Sequence, residues 1–444
     1  MRSNFVNLCL ILTFMLLLVA CSDASVDQNP GPDTSADASS DAMGDASPET
    51  SQDSENADSV VPTDTADTST LDAIMAPLGG AECMTTTQET AGSLDYTLHH
   101  IVPACVDART NGLAAKPHLV LVPAGGATNG LWVHLPGSGG SPPNTMNILR
   151  AAVTEGYTAI GLAYINEPSV GTRCKGQPAG CDEEVRVERL WGSDVSSVAD
   201  VDVPDSIAFR LRRLMEYLHA QQPVLGWDGY LTAEEVDWSK LSLSGFSQGG
   251  GMVGLLSRDR ALRRAMHLSS VSDSINNMDD DPATMATCDD ATPCVQGLCC
   301  DPADDTCTGP VSAGAGRCIT ITPALWATKG ADTDGDHFGD GDVTTRKTPA
   351  VRHFVLVHRD EIAYINTQTV MELWGVTAFG GFTDADNGAP PYGGTHLLTS
   401  GLAPNGTCST HQSTGNDFCQ PKLPGGLPAM FKAWRYMMRA PTTP

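Results

Sequence analysis

The stretch Lys240-Leu-Ser-Leu-Ser-Gly245-Phe246-Ser247-Gln248-Gly249-Gly250 sets a G-x-S-x-G pentapeptide between a short apolar run and a segment compatible with helix. A serine hydroxyl attacks a carbonyl only when a base takes its proton. A strand-to-helix turn would thrust Ser247 outward, and the flanking glycines remove the Cβ atoms that would clash there. Gln248 then opens the helix, so its N–H can point at a developing oxyanion. A second donor is expected from Leu131-Trp-Val-His-Leu-Pro136-Gly137-Ser138-Gly139-Gly140, where small residues let backbone N–H groups approach a substrate oxygen. By position after Pro136-Gly137, the Ser138 N–H is that donor. A phosphate-binding loop is the rival reading, but no G-K-[ST] follows.

The acid that orients the base should leave the next-to-last strand. Residues 351–358 read as that strand, and Arg359-Asp360-Glu361 follows it. Asp360 is the expected acid, with Glu361 an alternative one residue away. Two histidines compete as base. His396 lies within an expected strand, where a structural role is the blander reading. His411 lies on the loop from Cys408 to Cys419, after the last strand and before the last helix. A Cys408–Cys419 bridge would restrain that loop, so His411 is the expected base. His99, His100, His118, His134, His353 and His358 fall in or beside strands and read as structural.

Positioning these groups takes a sheet. Short apolar runs at 96–102, 118–123, 130–135, 158–163, 241–243, 265–268, 353–357 and 395–398 read as strands. They alternate with amphipathic stretches, which implies an α/β fold: a mostly parallel eight-stranded sheet flanked by helices. Ile207, Leu211, Leu214 and Leu218 recur on one face of a helix at 205–220, bounded by Pro204 and Pro223. A last helix is expected at 427–438. The stretch 271–350 fits neither pattern and holds six cysteines, Cys288 to Cys318, so it reads as a bridged insertion after the sixth strand.

With chain order Ser, Asp, His, a mid-chain elbow and a Gly-rich loop upstream, the sequence resembles the α/β-hydrolase fold over roughly residues 90–440. More narrowly, L-P-G-S-G-G, G-F-S-Q-G-G, Trp191-Gly-Ser-Asp and Thr410-His411-Gln-Ser resemble a group of secreted bacterial serine hydrolases. The resemblance implies acyl transfer, with a carboxylic ester as the default substrate, small or polymeric. It also implies a lid where the insertion falls. No cofactor is implied for catalysis. A second class of function is a binding or adhesion protein that displays the insertion on an α/β-hydrolase scaffold.

The loop Asp332-Thr-Asp334-Gly-Asp336-His337-Phe-Gly-Asp340 resembles the calcium loops of thrombospondin type 3 repeats. Asp332, Asp334, Asp336 and Asp340 could wrap oxygen around one structural Ca2+. His337 stands where a turn glycine is usual, and no bidentate Glu closes the loop.

Residues 1–21 read as a secretory signal. Leu18-Val19-Ala20-Cys21 resembles the bacterial lipobox, in which Cys21 becomes the lipidated N-terminus. Residues 22–76 are rich in Asp, Ser, Ala and Thr, with no aromatic or basic residue, and read as a disordered linker. The expected domain is then 77–444, lipid-anchored in the cell envelope and touching the membrane only through its anchor. Twelve cysteines remain after Cys9 and Cys21, and an envelope location makes disulfides the default, with Cys83/Cys105, Cys174/Cys181 and Cys408/Cys419 as near pairs. A net charge of −27 excludes nucleic acid as a partner.

Overall fold

Strands that are apolar at successive positions, such as His118–Pro123 and Leu131–Leu135, are buried at every residue. Such strands need cover on both faces of their sheet. The computed structural model describes residues 77–92, 94–110, 116–272, 274–276, 287–288, 298–300, 316–319, 321–361, 363–423 and 426–442, within one unit spanning 65–444. The signal at 1–21, Cys21 and the linker at 22–76 lie outside the described residues.

In chain order the first strands are β1 (Met84–Ala91), β2 (Leu94–Ile101), β3 (His118–Pro123), β4 (Leu131–Leu135), β5 (Thr158–Gly161), β6 (Leu241–Phe246) and β7 (Arg264–Leu268). Five short strands follow: β8 (Ser274–Asn276), β9 (Thr287–Cys288), β10 (Leu298–Cys300), β11 (Gly316–Ile319) and β12 (Ile321–Pro323). They form two small antiparallel sheets, β10-β11-β9 and β12-β8. Then come β13 (His353–His358), β14 (Thr383–Asp384) and β15 (Leu397–Ser400). The bonding of the six cysteines from Cys288 to Cys318 lies outside the described residues.

The main sheet has ten strands in the order β1-β2-β3-β5-β4-β6-β7-β13-β15-β14. From β5 through β14 every neighbouring pair is parallel, while β1, β2, β3 and β5 pair antiparallel. The expectation of eight mostly parallel strands is corrected to ten of mixed orientation. All eight expected segments are present. The first addition, β1, reads Met-Thr-Thr-Thr-Gln-Glu-Thr-Ala and is largely exposed, so it has no apolar periodicity to betray it. It is held as a hairpin on β2, and Cys83–Cys105 ties the outer end of that hairpin. The second, β14, is only two residues long.

Helices cover both faces. Those that matter below are α1 (Met146–Thr154), α2 (Cys181–Trp191), α3 (Ile207–Gln221), α4 (Gln248–Asp259), α5 (Ala363–Leu373) and α6 (Phe431–Arg439). Alternation along the strands divides the core: Val120, Val133, Leu243 and Val355 face α2, α3, α4 and α5. Leu121, Trp132, Met266 and Phe354 face α1 and α6. The α3 helix begins where Ser206 Oγ accepts the Phe209 N–H, an N-cap bond that satisfies one orphan donor. The last helix starts at Phe431, later than expected, because Leu427 accepts the Leu423 N–H in a turn and Pro428 precedes the first helical residues.

Candidate active site

The serine comes first. Leu268 accepts the Ser247 N–H at 2.9 Å as the chain leaves β6, and Ser247 adopts φ 52° and ψ −122° before α4 begins at Gln248. A positive φ is strained for a non-glycine residue. The bend is possible because the residues two positions away on each side, Gly245 and Gly249, lack side chains. A Cβ on Gly245 would lie 2.2 Å from Gly249, and one on Gly249 would lie 2.2 Å from the Leu135 carbonyl oxygen.

His411 comes from the far end of the chain. It opens a 3-10 turn, His411–Thr414, inside the ring closed by Cys408–Cys419. Its Nε2 lies 2.8 Å from Ser247 Oγ, and its Nδ1 lies 2.6 Å from Glu361 Oε2. The Nδ1–H donates to the carboxylate, which leaves Nε2 to accept the serine proton. The Phe246 ring packs against the imidazole, with centroids 5.2 Å apart.

Asp360, the expected acid, stands apart from this chain of hydrogen bonds. Its side chain is 66% exposed and lies 3.9 Å from His358 Nδ1. The correction has a local cause. The chain turns at Arg359 and Asp360 on leaving β13, which faces Asp360 to solvent and returns Glu361 beneath the turn. Glu361 Oε1 accepts the His358 N–H at 3.0 Å and the Ser269 hydroxyl at 2.6 Å, so both carboxylate oxygens are engaged.

His396 is held in the core by other partners. Its ring lies between Phe354 and Phe379, with centroids 4.1 and 4.9 Å away, and its Nδ1 donates to the His353 carbonyl. Burial pushes its pKa down to about 4, so it is a neutral core histidine at neutral pH.

The Gly-rich loop lies on the other side of Ser247. Tyr164 Oη donates to the Pro136 carbonyl at 2.8 Å, and Asn166 Nδ2 donates to the carbonyls of Gly137 and Gly140 at 2.7 and 3.0 Å. These bonds hold the loop's carbonyls from one side. Burial pushes the Tyr164 phenol up to about 12, so it remains a donor across the working range. Ser138 and Gln248 both line the cavity onto which Ser247 opens, of about 180 Å3, with Ser169, Val170, Arg186 and Ser272. Gln248 heads α4, where the first N–H groups of a helix have no intrahelical acceptor. Its side chain is occupied elsewhere: Oε1 accepts the Val170 N–H and the Ser138 hydroxyl, and Nε2 donates to the Asn166 carbonyl.

The acidic loop is anchored to α2 and α4. Asp259 accepts the Asp332 N–H, Glu183 accepts the Gly339 N–H, and Arg258 donates to the His337 carbonyl. Carboxylate oxygens of Asp332, Asp334 and Asp340 lie within 4.8 Å of one another. Asp336 is outside that cluster; its carboxylate caps the Phe338 N–H. His337 takes φ 71°, the backbone region that favours glycine, and its ring stacks on Trp191 at 5.1 Å.

Sequence reasoning missed the partners behind Glu361. Ser269 and Thr414 carry no motif, and only the end of β7 and the turn after His411 bring them to the carboxylate.

No family model matches the chain, and no curated protein does. Among solved structures, an esterase/lipase from an uncultured bacterium is 14% identical, with TM-score 0.30, covering 86% of this chain and 94% of its own. A Pyrobaculum calidifontis esterase is 11% identical, with TM-score 0.30 and coverage of 76% and 81%. A dienelactone hydrolase from Anabaena variabilis is 12% identical, with TM-score 0.30 and coverage of 80% and 97%. Likeness this slight carries no argument about chemistry, which rests on the geometry above.

Proposed function

We propose that the protein is a serine hydrolase of the α/β-hydrolase fold that cleaves a carboxylic ester through an acyl-enzyme. The observation that carries this is the continuous chain Ser247 Oγ, His411 Nε2, His411 Nδ1 and Glu361 Oε2, at 2.8 and 2.6 Å. In this reading Ser247 attacks the acyl carbonyl while His411 takes its proton. Glu361 holds the imidazole in the correct tautomer and stabilises the imidazolium. The backbone N–H groups of Ser138 and Gln248 receive the oxyanion. His411 then returns the proton to the departing alkoxide, and a water repeats the cycle to release the acid. An order of Ser, acid, His along the chain supports the same fold. No cofactor takes part in these steps.

The test is hydrolysis of p-nitrophenyl esters of rising chain length by the purified protein. Turnover that disappears in Ser247→Ala and His411→Ala supports the reading. Equal turnover in those variants contradicts it.

We also propose a lipid anchor at Cys21, supported by Leu18-Val19-Ala20-Cys21, and an envelope location with residues 22–76 as the tether. The region at 271–350 would then serve as the lid. The three clustered carboxylates of Asp332, Asp334 and Asp340 suit a structural Ca2+, a hard cation that takes oxygen ligands. A melting temperature unmoved by chelator counts against calcium.

A further inference from the structure

We infer that Ser269 and Thr414 are positioning residues of this site, fixing Glu361 from the side opposite the imidazole. The inference rests on the hydrolase reading above.

Glu361 presents Oε2 to His411 and Oε1 to two donors, the His358 N–H and the Ser269 hydroxyl. Ser269 Oγ accepts in turn from Thr414 Oγ1 at 2.6 Å. The direction of both bonds is forced. A carboxylate has no proton to give, so Ser269 spends its single proton on Glu361. Only the Ser269 lone pairs are then left to meet Thr414, which must donate.

Thr414 is the last residue of the turn that His411 opens. The hydrogen bonds therefore close a circuit: imidazole, carboxylate, two hydroxyls, then one turn of backbone back to the imidazole. Ser269 and Thr414 are fully buried, and Glu361 is 7% exposed, so water does not compete for these bonds. A glutamate has three side-chain torsions, and this circuit removes its freedom to rotate away from Nδ1.

The placement of Ser269 is itself costly. It follows the last residue of β7 with φ 42°, a region strained for a non-glycine residue, and its N–H is held by the Leu356 carbonyl at 2.8 Å. That geometry aims the hydroxyl at Glu361 across the top of β13.

The test uses the whole purified protein with p-nitrophenyl acetate and four variants. Ser269→Ala and Thr414→Val should lower kcat roughly 10- to 100-fold with KM unchanged. Thr414→Ser, which keeps the hydroxyl, should restore kcat to within about twofold of wild type. Ser269→Gly relieves the positive φ, which offsets part of the cost of the lost hydroxyl, and should lose kcat as Ser269→Ala does. The low-field proton resonance of the His411–Glu361 hydrogen bond should broaden or vanish in Ser269→Ala. Wild-type kcat in a folded Ser269→Gly, or equal loss in Thr414→Ser and Thr414→Val, overturns the positioning role while leaving the hydrolase intact. A folded wild type that turns over no ester overturns both readings.

Discussion

Glu361 lies 2.6 Å from His411, although the neighbouring Asp360, two atoms of chain away along the backbone turn, faces solvent. The longer acid is therefore the one that reaches the imidazole. Glu361→Gln should lower kcat by about 10²- to 10⁴-fold, because an amide can stabilise the wrong imidazole tautomer and cannot stabilise the imidazolium. Asp360→Asn should stay within about twofold of wild type. Steady-state kinetics on the two variants checks this, and the opposite ranking would return the role to Asp360.

The Gly-rich loop depends on a side chain outside it. Asn166 grips the carbonyls of Gly137 and Gly140 and is buried. Asn166→Ala should free the loop and misplace the Ser138 N–H, with kcat down on the order of 10²-fold and KM changed little. A kcat that survives this substitution would remove Ser138 from the oxyanion site.

The Cys408–Cys419 bridge encloses His411 with a separation of 11 residues. Cys408→Ser with Cys419→Ser should cost about 2–3 kcal/mol of stability on the chain-entropy account and lower kcat as well. Cys174→Ser with Cys181→Ser removes a bridge of separation 7 that does not enclose a site residue, so it should cost stability with kcat retained. Thermal melts and kinetics on both pairs separate the two effects.

Buried histidines make the fold acid-sensitive. Burial pushes His118 and His134 down to about 3, His267 and His396 down to about 4, and His353 well below its ordinary value. Their folded pKa values lie below the unfolded value, so the unfolded chain takes up protons that the native one refuses. The stability carried by these neutral rings is present above about pH 6.5 and is lost as pH falls toward 4. His118, His134, His267 and His396 should each cost on the order of 1–2 kcal/mol by pH 5. Asp417 opposes them, since burial pushes its carboxyl up to about 7 and its contribution to stability falls as pH rises through that value. The denaturant midpoint should drop between pH 7.5 and 5; a flat midpoint would contradict the shifts.

The parts legible in the sequence were those with a local signature. Strands such as β3 and β13 carry a continuous apolar run, and the Ser247 elbow needs glycines at fixed offsets, so both can be read without a fold. His411 is legible over His396 on a different footing, its place between the last expected strand and the last expected helix, since a base for Ser247 must come from a loop above the sheet. The choice between Asp360 and Glu361 had no such signature. It turns on which way the backbone leaves β13, a tertiary outcome that two adjacent acids cannot reveal. Ser269 and Thr414 were illegible for a related reason: their partners lie 92 and 145 residues away in sequence. The β1 strand escaped because its stability comes from pairing to β2 and not from burying its own side chains.

The most direct measurement is reaction of the native protein with a fluorophosphonate, followed by mapping of the modified peptide. A serine activated by His411 should be labelled at Ser247 alone, with labelling abolished in His411→Ala and strongly slowed in Glu361→Gln. A folded wild type that stays unlabelled, or label on another residue, would contradict the account.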